Sequence, residues 1–259
     1  MNLDYLLAGL LQGLLEWLPV SSSGQVMIAL SVALGVSPES AYRIALALHL
    51  GTLISAVIYY RKDVVDGLVS IGHLRLNTVS KIWIIATPIS LLIGYPLFKL
   101  YENVAGNVPQ DWVMLLVGVP LVAVGVLGLG IKGNSGKNEP TTMDLILLGL
   151  VQGFSVIPGI SRSGVTIALL LVRGLNPLSA VRTSFIAGIP VIGAAALYTM
   201  LFEGAFSRGT DAVLGGLAAL AGGLVGIGII EWLARRINQY LFAIIIGVIL
   251  VIVGIYSII

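Results

Sequence analysis

Cysteine is absent from the 259 residues, so no disulfide framework, thiolate metal site or cysteine nucleophile is available. Charge is scarce too. Fourteen Lys and Arg with twelve Asp and Glu make up 10% of the chain, against about 25% in a typical soluble domain. The net charge of +2 is too small to point to a polyanion, so no nucleic-acid partner is expected. The two histidines, His49 and His73, lie too far apart for a histidine-rich metal site. The chain is instead 58% hydrophobic, with a mean hydropathy of +1.04. These figures exclude a cytosolic enzyme, a nucleic-acid-binding module and a disordered chain, and point to a polytopic membrane protein embedded in the bilayer. The 32 glycines suit close helix contacts or broken helices. The first apolar run has no basic start, Asp4 being the only nearby charge, and is expected to belong to the mature fold.

Six stretches approach the ~20 residues that a bilayer requires: roughly 42–60, 82–100, 112–131, 180–201, 212–233 and 240–259. The polar stretch 132–142 reads as a linker between a first half, 1–131, and a second, 143–259, of a single membrane domain spanning 1–259. Two apolar runs are too short. Residues 3–18 break at Pro19-Val-Ser-Ser-Ser-Gly24, and 145–157 break at Pro158-Gly-Ile-Ser-Arg-Ser-Gly164. About ten apolar residues follow each break. Two half-length helices around a polar break form a re-entrant hairpin pattern, tolerated at membrane depth only where protein or a watery cavity surrounds it.

The two broken segments are related. An offset of 140 aligns Asp4 with Asp144, Gly9 with Gly149, Gln12 with Gln152, Gly13 with Gly153, and Ser21, Ser23 and Gly24 with Ser161, Ser163 and Gly164. An offset of 139 then aligns Gly35 with Gly174, Pro38 with Pro177, and Arg43 with Arg182. Low-complexity apolar sequence does not readily match Asp, Gln, Pro and Arg in one register. The expected fold is therefore all-α, with two inverted repeats, each containing a re-entrant helix hairpin, whose tips meet near the midplane.

A Ser/Gly loop opening a helix presents free backbone N–H groups and a positive dipole end to an anion. Two such loops carry Ser21, Ser22, Ser23, Ser161 and Ser163. The second also holds Arg162, and an intramembrane arginine is a functional hypothesis by default. Its planar fork suits phosphate, so a phosphate or diphosphate headgroup is the natural ligand. Glu16 lies four residues after Gln12, on one helical face. It has no counterpart in the second repeat, where Val156 stands. A carboxylate beside an anion site can hold a bridging divalent cation or act as a general base. Plainer readings exist: Glu16 as a structural partner of Arg162, the serines as N-caps, Arg43 and Arg182 snorkelling at span ends, and His49 as a packing residue.

Gln12-Gly-Leu-Leu-Glu16 with the loop 18–24, and Pro158-Gly-Ile-Ser-Arg-Ser-Gly-Val-Thr166, resemble the two motifs of the undecaprenyl-diphosphate phosphatase, or bacitracin-resistance, family. The resemblance covers essentially the whole chain. It implies a multi-pass plasma-membrane hydrolase that removes the terminal phosphate of a polyprenyl diphosphate and so recycles the lipid carrier of cell-envelope synthesis. It also implies dependence on a divalent cation, Mg or Ca, with Glu16 as the associated carboxylate; a homodimer is the assembly considered. By the same resemblance Glu16, Ser22 and Arg162 are catalytic. Gln12, Ser21, Ser23, Gln25, Ser161, Ser163 and Thr166 line the substrate.

One position departs from the family. Gln25 stands where a histidine closes the first loop, and glutamine cannot act as a general acid. Three explanations are open. His49 takes over the proton transfer; Glu16, Ser22, Arg162 and a metal suffice; or the protein moves its lipid without hydrolysing it, as a transporter or flippase for a polyprenyl phosphate or similar anion. The glutamine also suits a distinct, archaeal branch.

Overall fold

The computed structural model describes residues 2–20, 22, 25–26, 29–30, 35, 38–104, 115, 118–119, 121–123, 125–126, 136–157, 160–202 and 209–258. Among them nine helices are delimited: α1 Asn2–Glu16, α2 Pro38–Tyr59, α3 Arg61–Gly72, α4 Thr78–Val104, α5 Thr142–Phe154, α6 Arg162–Val172, α7 Pro177–Phe202, α8 Gly209–Arg236 and α9 Gln239–Ile258. Residues 22, 25–26, 29–30 and several between 115 and 126 are also helical. Within α4, α7 and α8, the segments Thr78–Leu100, Pro177–Tyr198 and Val213–Arg236 are long and apolar enough to cross a membrane. This is a helical membrane protein.

Local sequence explains the helix boundaries. Pro38 and Pro177 open α2 and α7, where a missing N–H costs nothing. Thr141 and Asp144 cap α5 reciprocally, as a capping box does. The end of α6 is a Schellman turn: Gly174 N–H donates to Leu171 O and Leu175 N–H to Leu170 O, at 2.9 and 3.0 Å. Gly174 sits at φ +86° and its repeat partner Gly35 at φ +62°, the left-handed region that favours glycine. Residues 132–135 of the polar linker lie outside the described residues. The rest of it is tied to this turn, with Lys137 N–H donating to Gly174 O at 2.8 Å and Asn176 N–H to Lys137 O at 3.0 Å.

Helix α1 packs most extensively on α8, and α5 on α4. The matched glycines make this possible. Gly9 and Gly13 lie against the backbone of Gly215 and Ala219, while Gly149 and Gly153 lie against Ala86, Ser90 and Ile93. Small residues let backbones approach where lipid offers no hydrophobic drive between helices. The larger core gathers around Trp17, Ile82, Leu148, Phe185 and Phe242. Arg182 binds both carboxylate oxygens of Asp63 on α3, at 3.0 and 2.8 Å. Glu231 forms the i,i+4 pair with Arg235 at 2.8 Å and accepts a hydrogen bond from Tyr60 at 2.8 Å. These contacts give both arginines structural partners.

Candidate active site

The end of α1 meets the start of α6, and the polar residues of both converge there. Ser161 caps α6, accepting from Gly164 N–H at 3.1 Å. Ser163 Oγ lies 2.7 Å from Leu18 O and 3.2 Å from Glu16 O, so it latches the turn that follows α1. Arg162, the first residue of α6, is thereby aimed back at Glu16; Nη2 donates to Oε1 at 3.2 Å.

Glu16 is the hub. Its Oε2 accepts from Ser22 Oγ at 2.6 Å and from Gln12 Nε2 at 3.0 Å, and lies 3.2 Å from His49 Nε2. Helical spacing explains Gln12, one turn before Glu16; α2 brings His49. The imidazole is oriented by Nδ1, 2.8 Å from Ala45 O. A carbonyl only accepts, so Nδ1 carries a hydrogen and Nε2 faces the carboxylate. One proton held between Glu16 Oε2 and His49 Nε2 makes that approach favourable.

Arg162 is held on every side. Its Nη1 donates to Ser184 O at 3.3 Å. The guanidinium lies 5.2 Å from the ring of Trp17, a cation–π distance. Trp17 is itself fully buried against Phe185. Gly188 leaves the space that the guanidinium fills. The buried Nε has no partner among the described residues, and neither has Gln12 Oε1.

Three members of this cluster, Glu16, His49 and Arg162, line a cavity of about 270 Å³. Gln152, Ser90 and Ser155 add further polar groups to its wall. Leu91, Tyr95, Phe98, Val191, Ile192 and Tyr198, from α4 and α7, line the remainder. An ionic head and an apolar body are the shape of the ligand this space accepts.

Of the residues singled out in the sequence, Gln12, Glu16, Ser22, His49 and Arg162 come together. Ser161 and Ser163 join them through capping and latching. Thr166 is fully buried, with its hydroxyl bonded to Arg162 O at 2.6 Å and 2.6 Å from Ser184 Oγ. It braces the arginine and is not among the cavity-lining residues. Gln25 is half-buried on the helical stretch after Ser22. Ser21 and Ser23 lie outside the described residues. Sequence reading missed Trp17, Ser184 and Gly188 as supports of Arg162; no spacing rule marks them, because they act through a contact distant in sequence.

The donor set around Glu16 does not fit a Mg or Ca ion held by the protein alone. Such ions take six or more oxygen ligands. Both Glu16 oxygens already face donors, and no group of three His, Asp or Glu side chains converges among the described residues.

The bacitracin resistance protein BacA family matches residues 5–256. The chain belongs to this family. It is 40% identical to an undecaprenyl-diphosphatase of Methanothrix thermoacetophila over 75% of this chain and 74% of that one. It is 35% identical to one from Haloarcula marismortui over 92% and 90%. With one from Saccharolobus islandicus the identity is 31% over 98% and 97%. All three organisms are archaea, and the cluster around Glu16 is thus the arrangement of a BacA family member in which His49 stands beside the carboxylate.

Proposed function

We propose that the protein is a membrane phosphatase that hydrolyses a polyprenyl diphosphate of the undecaprenyl type to the monophosphate lipid and inorganic phosphate. The observation that carries this reading is the contact of Ser22 Oγ with Glu16 Oε2 at 2.6 Å, beside Arg162, on the wall of a mostly apolar cavity. The names of the relatives point the same way.

The terminal phosphoryl group sits against Arg162, whose Nε, without a partner among the described residues, and remaining N–H groups grip its oxygens. The start of α6 adds its positive dipole end. As Ser22 Oγ attacks phosphorus, its proton passes to the Glu16–His49 pair. The bond from phosphorus to the bridging oxygen breaks, and its electrons leave with the polyprenyl monophosphate. Water then attacks the serine-bound phosphoryl and gives one proton to the pair, which returns one to Ser22 Oγ; the surplus proton passes to solvent. Positioning and charge neutralisation supply most of the acceleration in such transfers.

The finer architecture belongs to the same proposal: inverted repeats, hairpins at 3–34 and 145–172 re-entering from opposite faces, a multi-pass protein in the plasma membrane, and a homodimer. The matched glycines and exchanged packing of α1 and α5 support the repeats. The Mg or Ca implied by the resemblance would enter with the diphosphate, because the protein's own donors are engaged. No step above depends on it.

The test is phosphate release from undecaprenyl diphosphate by purified protein, with Mg, Ca or EDTA, beside Arg162→Ala and Ser22→Ala. Release by the wild type and its loss in both variants are expected. Movement of lipid across vesicles without phosphate release would replace this reading with transport.

A further inference from the structure

Helix α3 lies where the three segments able to cross a membrane come to an end. It follows Tyr60, whose hydroxyl donates to Glu231 near the close of Val213–Arg236. Its Asp63 accepts from Arg182, near the opening of Pro177–Tyr198. The segment Thr78–Leu100 starts a short turn after it. These contacts put α3 at the level where apolar chains give way to headgroups. Trp232, next to Glu231 in the chain, is exposed, with the Arg236 guanidinium 4.9 Å from its ring, a pair suited to that level.

Helical spacing divides α3 into stripes. On the inner one, Gly67 lies against Val79 and Trp83 of α4. Val65, Leu68 and Val69, at i, i+3 and i+4, share an outer face, and each is more than half exposed. Lys62 and Asp66, at i and i+4, run along the edge of that face and are exposed too. Between residues 61 and 81 four cations stand against two acids, and one of those acids, Asp63, is engaged by Arg182. A helix that is apolar outward and basic along its edge suits a membrane surface. The end of α3 adds a second sign. It is a Schellman turn, in which Leu74 N–H donates to Ile71 O and Arg75 N–H to Ser70 O, both at 3.0 Å. Leu74 takes φ +54° there, a conformation that favours glycine, while its side chain is 88% exposed. In water this leucine bears the backbone strain and gains nothing from its side chain. Among acyl chains its apolar surface is removed from water, which offsets the strain.

We propose that α3 and its closing turn form a docking surface for anionic lipid, with Leu68 and Leu74 among the acyl chains and Lys62 and Arg75 on the lipid phosphates. Charge complementarity selects this partner. The cations outnumber the acids, and an anionic leaflet attracts each basic residue held near it. None of these residues lines the cavity beside Glu16, so the surface does not depend on the chemistry there.

The chain has no cysteine, so Leu68→Cys and Asp66→Cys can each carry a single bimane label, read on the full-length protein in nanodiscs of phosphatidylcholine and phosphatidylglycerol. Brominated lipid should quench the label of Leu68→Cys, and aqueous iodide that of Asp66→Cys. In Leu68→Cys, brominated phosphatidylglycerol should quench at a lower mole fraction than brominated phosphatidylcholine. Adding Lys62→Gln should reduce that preference about fivefold, the weight of one charge at an anionic surface. Arg75→Gln on top of it should reduce the preference further, and Lys62→Arg should preserve it. Iodide reaching the Leu68→Cys label more readily than brominated lipid would overturn the proposal. So would shielding from both quenchers, which would give the face to a second copy or another protein. A preference within about twofold of its starting value in the Lys62→Gln, Arg75→Gln variant would also overturn it. Loss of the preference to inorganic phosphate at constant ionic strength would do the same and assign the cations to free phosphate. Should labelled Leu68→Cys fail to fold, Val65→Cys on the same face takes the same readings.

Discussion

Substituting alanine for Gly188 should silence turnover while leaving the fold standing. The added Cβ would stand 2.8 Å from Arg162 Cζ and closer still to Nη1. Ordinary carbon contacts lie at about 3.5–4.0 Å, so the guanidinium must retreat by roughly 1 Å. It is the flexible end of a long side chain, and the backbone of α7 has no need to move. The retreat acts directly on the 3.2 Å contact with Glu16 Oε1 and the 3.3 Å contact with Ser184 O. A misplacement of about 1 Å in a positioning group costs about a hundredfold in rate. Alanine in mid-helix gains about 0.5–1 kcal/mol over glycine, which offsets part of the lost pairing. The melting temperature in detergent should therefore stay within about 4 °C of wild type. Phosphate release and thermal unfolding, measured on the same preparation, read both halves. Gly188→Ala combined with Arg162→Ala should be no slower than Arg162→Ala alone, because both remove the same group. Turnover of Gly188→Ala within about threefold of wild type would refute the argument, as would an additive loss in the double variant.

Other predictions follow from the same contacts. His49→Gln should lower turnover about a hundredfold or more, the usual worth of a positioned acid or base; activity near wild type would remove His49 from proton transfer. Glu16→Ala and Arg162→Ala should each destabilise by about 3–5 kcal/mol, leaving one buried charge unpaired, and the double variant should be less destabilised than the sum of the singles. Thermal unfolding of the four proteins measures this, and additive losses would show that the two charges do not depend on each other. Gly9→Ala would force Cβ into the backbone at Gly215 and should cost about 1–3 kcal/mol by parting α1 from α8. An unchanged melting temperature would show that these helices have room to spare.

Local patterns in the chain were enough to determine its class as a helical membrane protein, and they singled out several of the residues that come together around Glu16. Scarce charge and long apolar runs leave only a membrane protein, because so little polar surface cannot face water. Gln12 and Glu16 were legible as a pair because four residues make about one helical turn. Ser161 was legible as an N-cap candidate through a rule that operates within a few residues, whereas Gly174 was legible only as the match of Gly35. The matched glycines were visible as a repeat, but their purpose appeared only when α1 met α8 and α5 met α4. Tertiary structure alone decided what surrounds the two charges. His49 read first as a packing residue, with proton transfer as the alternative, until α2 placed it 3.2 Å from Glu16. Thr166 looked like a headgroup contact in the motif, yet its hydroxyl turns inward to Arg162 O and Ser184 Oγ. Gly188 and Ser184 carry no signature at all. Periodicity and capping record interactions among neighbours in the chain, whereas the position of Arg162 depends on contacts with residues 22 to 146 positions away, brought together by helix packing.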